Sequence, residues 1–317
     1  MIMTGERDIK MFTGNSNPKL AYEIAELLGE EMGNATVGTF SDGEISVNII
    51  DSVRGKDVFL IQSTCTPVNN NLMELLIMVD ALKRASAQTI TAVIPYMGYA
   101  RQDRKVRPHD PITAKLVADL LTAAGVDRIL SIDLHVEQIQ AFFNMPVDHL
   151  KGVPVLAAHY LERNFDDDVV VVSPDIGSVT RARYFAKKID APLAIIDKRR
   201  PKANVSQVMN IIGDVAGKRA IIVDDLLDTG GTFINAANAL MEKGALEVYG
   251  CITHAVLSGN AINRIEESCI KEIVALNTIP SDRLKDSTKF RTLSVAPVFA
   301  KAIERIYKNR PISSLNE

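Results

Sequence analysis

Three carboxylates, Asp224, Asp225 and Asp228, stand immediately before Thr229-Gly-Gly-Thr232. The apolar run 220–223 ahead of them reads as a buried strand, and a helical pattern follows over 233–243, closed by Gly244. A strand, a tight turn and a helix start direct several backbone N–H groups and the positive end of a helix at one spot, which suits a phosphate. The glycines allow close backbone approach, and the hydroxyls of Thr229 and Thr232 add donors. Acids alone would repel such an anion, so they need sugar hydroxyls or a metal to face. A phosphorylated sugar satisfies both requirements. The bland alternative, an ordinary strand-to-helix turn with acidic caps, leaves the two adjacent acids without a role.

Other chemistry-bearing residues lie at similar places. Asp175 follows the strand-like run 169–173 and precedes Arg181 and Arg183 on a helical pattern, which places an acid where it could meet magnesium or a hydroxyl. Arg183 reads as part of a solvated basic face. His135, after the run 128–133, has no sequence context that lifts it above a structural histidine. Lys198-Arg-Arg-Pro-Lys202 puts four cations in five residues, ahead of a stretch, 203–209, with neither clear period nor strong breakers. This reads as a lid that closes over a polyphosphate. Tyr99-Ala-Arg-Gln-Asp-Arg-Lys-Val-Arg107 gives a second basic cluster. Neither segment interleaves cations with stacking aromatics over a large positive face, so nucleic-acid binding is not expected. No G-x-x-x-x-G-K-[ST] occurs: Gly14 to Lys19 lacks the second glycine, and Gly217-Lys218 is followed by Arg219.

The elements that must position these groups alternate. Strands are expected at 10–13, 36–40, 45–50, 58–62, 89–95 and 128–133, with helices at 20–28, 69–85 and 112–124. The second half continues with helix 155–163, strand 169–173, helix 179–189, strand 193–197, the opening element, strands 248–257 and 272–276, and helix 298–308. Ser41-Asp-Gly-Glu44 between two of the early strands is a strong turn signal. This alternation predicts an α/β protein with mainly parallel sheets covered by helices, and ligands then gather at the carboxyl ends of strands. Gly152 and Pro154 mark the expected boundary between two domains, 1–150 and 151–295.

At 317 residues the chain is long enough for two cores, and 47% apolar with 24% charged residues describes a globular protein. A net charge of −3 argues against general nucleic-acid affinity. Charged residues from Glu6 to Lys10 leave no signal-peptide pattern. The most apolar helical stretch, 72–82, is cut by Glu74 and Asp80, so no membrane span is expected. Cys65, Cys251 and Cys269 lack paired spacing, which fits reduced thiols in the cytoplasm.

Taken together, Phe40-Ser-Asp-Gly-Glu44, Tyr99-Ala-Arg-Gln-Asp-Arg104, Asp133-Leu-His135 with Gln138-Ile-Gln140, Ser173-Pro-Asp175, Asp197-Lys-Arg-Arg200, Asn210-Ile-Ile-Gly-Asp214 and 223–232 resemble, in order, the motifs of ribose-phosphate diphosphokinases, in particular the bacterial phosphate-activated type. The resemblance runs from about residue 8 to about 307. Only the last motif is shared widely with other phosphoribosyltransferases. The resemblance implies two phosphoribosyltransferase-like (Rossmann-like) domains, with the C-terminal helix, about 296–317, returning to the first. It also implies transfer of the β,γ-diphosphoryl group of MgATP to the 1-hydroxyl of ribose 5-phosphate, for nucleotide, histidine and tryptophan biosynthesis.

The same resemblance implies that Phe40, Asp42, Gly43 and Glu44 hold adenine from a neighbouring subunit, and that Arg101 and Gln102 bind ATP. Lys198 and Arg200 would be catalytic, and His135 and Asp175 would sit at Mg2+. Asp224, Asp225, Asp228, Thr229, Gly230, Gly231 and Thr232 would bind ribose 5-phosphate. Magnesium prefers oxygen donors, so His135 could instead touch a phosphate oxygen. A homohexamer is implied as well. The chain departs from the usual pattern at Ser178, where a second glycine is common. Three rivals stay open: a nucleobase phosphoribosyltransferase, a kinase that transfers only the γ-phosphate, and a non-catalytic regulatory homologue.

Overall fold

A computed structural model describes residues 8–163, 165, 168–199 and 208–316. The described residues form two compact units. One holds the chain up to Lys151, Thr278–Pro280 and everything from Val295 onward; the other holds Gly152–Asn277 and Ser281–Ser294.

In the first unit the order is β1 (Ile9–Thr13), α1 (Pro18–Leu28), β2 (Ala35–Thr39), β3 (Ile45–Ile49), β4 (Asp57–Ile61), α2 (Val68–Arg84), β5 (Thr89–Ile94), α3 (Thr113–Ala124), β6 (Arg128–Ile132) and β7 (Val147–Leu150). Strands β1-β4-β5-β6-β7 make one parallel sheet. Its centre is apolar on both faces, as helices on both sides require: β4 is buried at every position. β7, with the sequence Val-Asp-His-Leu, is an edge strand with no sequence signal of its own. Leu130↔Asp148 pairing and an Arg128 to Asp148 ion pair at 2.6 Å hold it. β2 and β3 form a separate antiparallel hairpin, and Val37 and Val47 pack on the unit's core.

The acid that interrupts the apolar face of α2 is structural. Glu74 is buried, and its carboxylate accepts from Asn15 N–H (2.6 Å), Asn15 Nδ2 (2.8 Å) and Gln62 Nε2 (2.7 Å). The loop after β1 passes so closely that a Cβ on Gly14 would lie 2.5 Å from the Glu74 and Gln62 oxygens. Glu74→Ala strands the buried Gln62 amide away from water and releases the two Asn15 donors. We expect it to lower the unfolding free energy by about 3 kcal/mol, read from urea denaturation, whereas a loss under about 1 kcal/mol would mean that water takes over the bonds. No helix among the described residues is long and apolar enough to cross a membrane.

The second unit contains α4 (Val153–Glu162), β8 (Val169–Ser173), α5 (Val179–Lys188), β9 (Leu193–Arg199), β10 (Val208–Ile212), β11 (Arg219–Leu227), α6 (Gly231–Glu242), β12 (Glu247–Ala255), α7 (Ala261–Glu266), β13 (Ile270–Leu276) and β14 (Phe290–Leu293). Its sheet has the order β10-β9-β8-β11-β12-β13-β14, parallel except for the β9–β10 pair. Pro154 starts α4 instead of interrupting it, because the first helical turn needs no N–H there. The basic segment differs most from expectation. β9 continues to Arg199, and β10 returns antiparallel, with Lys198 opposite Met209 and Asp197 opposite Asn210. An apolar run followed by cations gives no period to mark such a hairpin. Arg200 and Lys202, and with them the expected lid, lie outside the described residues.

The last helix, α8 (Ala296–Tyr307), belongs to the first unit and packs against α1. Phe299 and Ile303 on it are fully buried. Thr278 also joins this unit, its carbonyl accepting from the Ser63 hydroxyl at 2.6 Å.

Candidate active site

In the second unit the acid-rich segment is built differently from a simple loop. β11 pairs with β8 only as far as Ile222↔Val172, but with β12 it pairs on through Asp224↔Ile252 to Leu227↔Ala255. Asp224 and Asp225 are therefore strand residues projecting beyond the end of β8, not loop residues after Val223. The turn proper is Asp228 to Gly230. Gly230 has φ +78°, which favours glycine, and caps α6, so the helix begins at Gly231, two residues earlier than its apolar pattern indicates. Thr229 and Thr232 are exposed beside the open N–H groups of the first turn.

The turn is braced from the next strand connection. Ser258 N–H donates to the Asp228 carbonyl at 3.0 Å, and the Arg264 guanidinium donates to the Thr229 carbonyl at 2.9 Å. A Cβ on Gly231 would lie 3.6 Å from Arg264 Nη2, so a cation stands next to the glycines. Sequence reasoning missed Arg264, which is 35 residues away from Thr229 along the chain.

Parallel pairing puts the turn after β8 beside the acids. Asp175 Oδ1 accepts from Ser178 N–H at 3.0 Å, and the Ser178 hydroxyl donates to Asp224 Oδ1 at 2.7 Å. Asp225 N–H donates to that same oxygen at 2.9 Å. Arg181 Nη1 is 3.7 Å from Asp225 Oδ1 and 4.0 Å from Asp224 Oδ1, and the Asp224 side chain is 12% exposed. Burial, then the neighbouring Asp225 charge, push the Asp224 carboxyl up to about 7, against the lowering effect of the Ser178 hydrogen bond. The involvement of Arg181 was legible in principle. Residues 181 and 183 lie roughly 200° apart on a helix, so only one of the two can face the sheet.

The first unit carries the other candidates. A cavity of about 650 Å³ is lined by Asn69, Tyr96, Tyr99, Arg101 and Gln102 among others. Gln102 is fixed by its N–H to the Tyr99 carbonyl (2.9 Å) and by a short hydrogen bond from the Thr113 hydroxyl. Tyr99 (φ +63°) and Asp133 (φ +45°) hold left-handed conformations beyond adjacent strands β5 and β6. Non-glycine residues of this kind gather at functional sites. His135 follows Asp133, in a turn where Leu134 N–H donates to His149 Nε2 at 3.0 Å. Phe40, Asp42, Gly43 and Glu44 do not line the cavity. They form the tip of the β2–β3 hairpin, closed by Phe40 N–H to the Glu44 carbonyl at 2.7 Å, and Phe40 is 58% exposed.

Among the described residues no three histidine, cysteine or acid side chains converge as a metal cage. His135 and Asp175 belong to different units. Asp175, a single carboxylate beyond a strand end, fits magnesium, an ion that keeps its waters and is held by one or two carboxylates plus substrate phosphates. Cys65 is no nucleophile, since burial pushes its thiol up to about 11.

Comparison with known proteins places the chain in a family. Residues 9–125 match the N-terminal domain of ribose phosphate pyrophosphokinase, and residues 197–316 match the phosphoribosyl synthetase-associated domain. The ribose-phosphate pyrophosphokinase of Caldanaerobacter subterraneus subsp. tengcongensis is 66% identical over 307 residues, covering 97% of each chain. The enzyme of that name from Bacillus subtilis is 55% identical over 311 residues, covering 98% of each. The crystal structure of phosphoribosylpyrophosphate synthetase from Mycobacterium smegmatis superposes with a TM-score of 0.91 at 44% identity, covering 96% of this chain and 100% of that one. By fold and by sequence over 97% of its length, the chain belongs to the ribose-phosphate pyrophosphokinase family.

Proposed function

We propose that the chain transfers the β,γ-diphosphoryl group of ATP to ribose 5-phosphate, giving 5-phosphoribosyl 1-diphosphate and AMP. The observation that carries the ribose 5-phosphate half of this reading is the end of β11, where Asp224 and the buried Asp225 stand beside a glycine-capped helix start, and membership of the ribose-phosphate pyrophosphokinase family supports the diphosphoryl half. That pairing suits a sugar phosphate and nothing simpler. In the reaction the 1-hydroxyl oxygen bonds to the β-phosphorus, the bond from that phosphorus to the α,β-bridging oxygen breaks, and AMP leaves. Such transfers need alignment and charge neutralisation more than covalent help.

Roles follow from this reading. The N–H groups at the start of α6, with Thr229, Gly230, Gly231 and Thr232, hold the 5-phosphate, and Asp224, Asp225 and Asp228 face the sugar side. Arg101 and Gln102 bind ATP in the cavity they line. Phe40, Asp42, Gly43 and Glu44 hold adenine across a subunit contact, which the exposure of Phe40 supports. Lys198 and Arg200 neutralise the transferred group. His135 in the first unit and Asp175 in the second would each be available to Mg2+, which when bound with the polyphosphate would supply further charge neutralisation. The enzyme works as a homohexamer in the cytoplasm, in keeping with three cysteines that form no disulfide.

Phosphorus NMR of the purified protein with ATP, magnesium and ribose 5-phosphate tests the reading. AMP and a new sugar diphosphate are expected to rise together. ADP would establish a γ-phosphate kinase instead, and no turnover, with inorganic phosphate supplied, would favour the regulatory homologue.

A further inference from the structure

Ser178, in the connection from β8 to α5, is bonded both to the Asp175 turn and to the acids at the end of β11. We propose that Ser178 is a positioning residue for ribose 5-phosphate, its hydroxyl fixing the Asp224 carboxylate so that one oxygen is turned to the sugar. This rests on the reading of Asp224 given above.

Ser178 is buried at the start of α5, one turn ahead of Arg181. Its backbone N–H is held by Asp175 Oδ1 at 3.0 Å, and its α5 turn is closed by Ala182 N–H to the Ser178 carbonyl at 2.9 Å. The hydroxyl is thus carried on a fixed backbone, and it donates to Asp224 Oδ1 at 2.7 Å. The Asp225 N–H, at 2.9 Å, ends on the same oxygen. A carboxylate held through two bonds to one oxygen cannot rotate without breaking both, so Oδ2 keeps one orientation. Sugar hydroxyls are recognised by direction, so presetting the acceptor removes an ordering cost that ligand binding would otherwise carry. The same residue ties the Asp175 turn to the β11 acids, two groups that reach the site from different strands. A glycine here would keep the backbone bond to Asp175 and lose only the hydroxyl.

The test compares Ser178→Ala, Ser178→Gly and Ser178→Thr with Asp224→Asn. It measures steady-state constants for both substrates and calorimetric titration of ribose 5-phosphate in the presence of α,β-methylene-ATP and magnesium. Ser178→Ala and Ser178→Gly are expected to raise the Kd and KM for ribose 5-phosphate about tenfold, with the KM for ATP moving less than twofold. Ser178→Thr, which retains a hydroxyl, should recover most of the loss. Glycine is tolerated at helix starts, so Ser178→Gly decides the matter if Ser178→Ala does not fold. Equal losses for both substrates would mean a structural role and overturn the proposal. If Asp224→Asn weakens ribose 5-phosphate and neither Ser178 variant does, the proposal alone falls. If Asp224→Asn leaves the Kd within twofold, the sugar-side reading of Asp224 falls and takes the proposal with it.

Discussion

Lys198→Ala lowers kcat by roughly 10³-fold or more while leaving the KM for ribose 5-phosphate within a few-fold of the parent. The expected size follows from cations on transferring phosphoryl groups, for which losses of this order are usual; three decades correspond to about 4 kcal/mol of transition-state stabilisation. The structure bears on why the effect should fall on kcat. Lys198 sits near the end of β9, past the residues of that strand that pair with β8, and opposite Met209 of β10. Its Cα is therefore placed by the sheet, and a substitution there removes a charge without releasing the chain that carries it. Single-turnover kinetics with saturating ATP and ribose 5-phosphate make the check. A loss below about tenfold would remove Lys198 from the catalytic role, and an equal rise in KM would make it a binding residue.

Asp224→Asn should make the protein more stable and a much poorer enzyme. The carboxyl has an ordinary value of 3.8, and in the folded chain burial and the Asp225 charge raise it to about 7. Between those two values the folded state keeps a proton that the unfolded state has lost. Stability therefore falls as pH rises from about 3.8 towards 7, and the cost of the buried charge is present in full above that range. At about 1.4 kcal/mol per unit, the substitution is expected to gain roughly a few kcal/mol at pH 8. The gain should shrink steadily as the pH falls to 5 and below. Thermal or urea unfolding at pH 5 and pH 8 tests this, and a gain independent of pH would show that charge burial is not its cause. Activity should move the other way. A hydrogen bond to a charged partner is worth about 1.5–3 kcal/mol, so kcat/KM for ribose 5-phosphate is expected to fall 10- to 100-fold. A carboxylate kept where the fold resists it is what a site selected for binding rather than stability would contain.

Several parts of this arrangement could be read from the residues. The alternation of apolar runs gave the order of helices and parallel strands, because a strand buried on both faces must be mostly apolar, as β4 from Val58 to Ile61 and β8 from Val169 to Val172 are. The acid-then-glycine segment was legible because few physical demands other than a phosphate beside hydroxyls put those residue types together. Short edge strands were not. β7 and β14 have four residues each and half-polar faces, and they exist because a neighbouring strand offers an unpaired edge. The end of β11 was misjudged for a related reason. Charged residues normally stop a strand, but Asp224 and Asp225 continue one because β12 pairs with them and Arg181 stands nearby.

Local chemistry thus nominated the residues for a sugar phosphate, since backbone N–H groups, glycine conformations and carboxylates act over a few positions of sequence. The identity of their partners was decided only in three dimensions. Ser178 bonds Asp224 across 46 positions, Arg264 reaches Thr229 across 35, and Gln62, just past β4, reaches Glu74 on α2 across 12. Such pairings depend on strand order and register, and each is cheap only because the sheet has already brought the two segments together. Sequence periodicity carries the faces of an element but not the neighbours those faces will find.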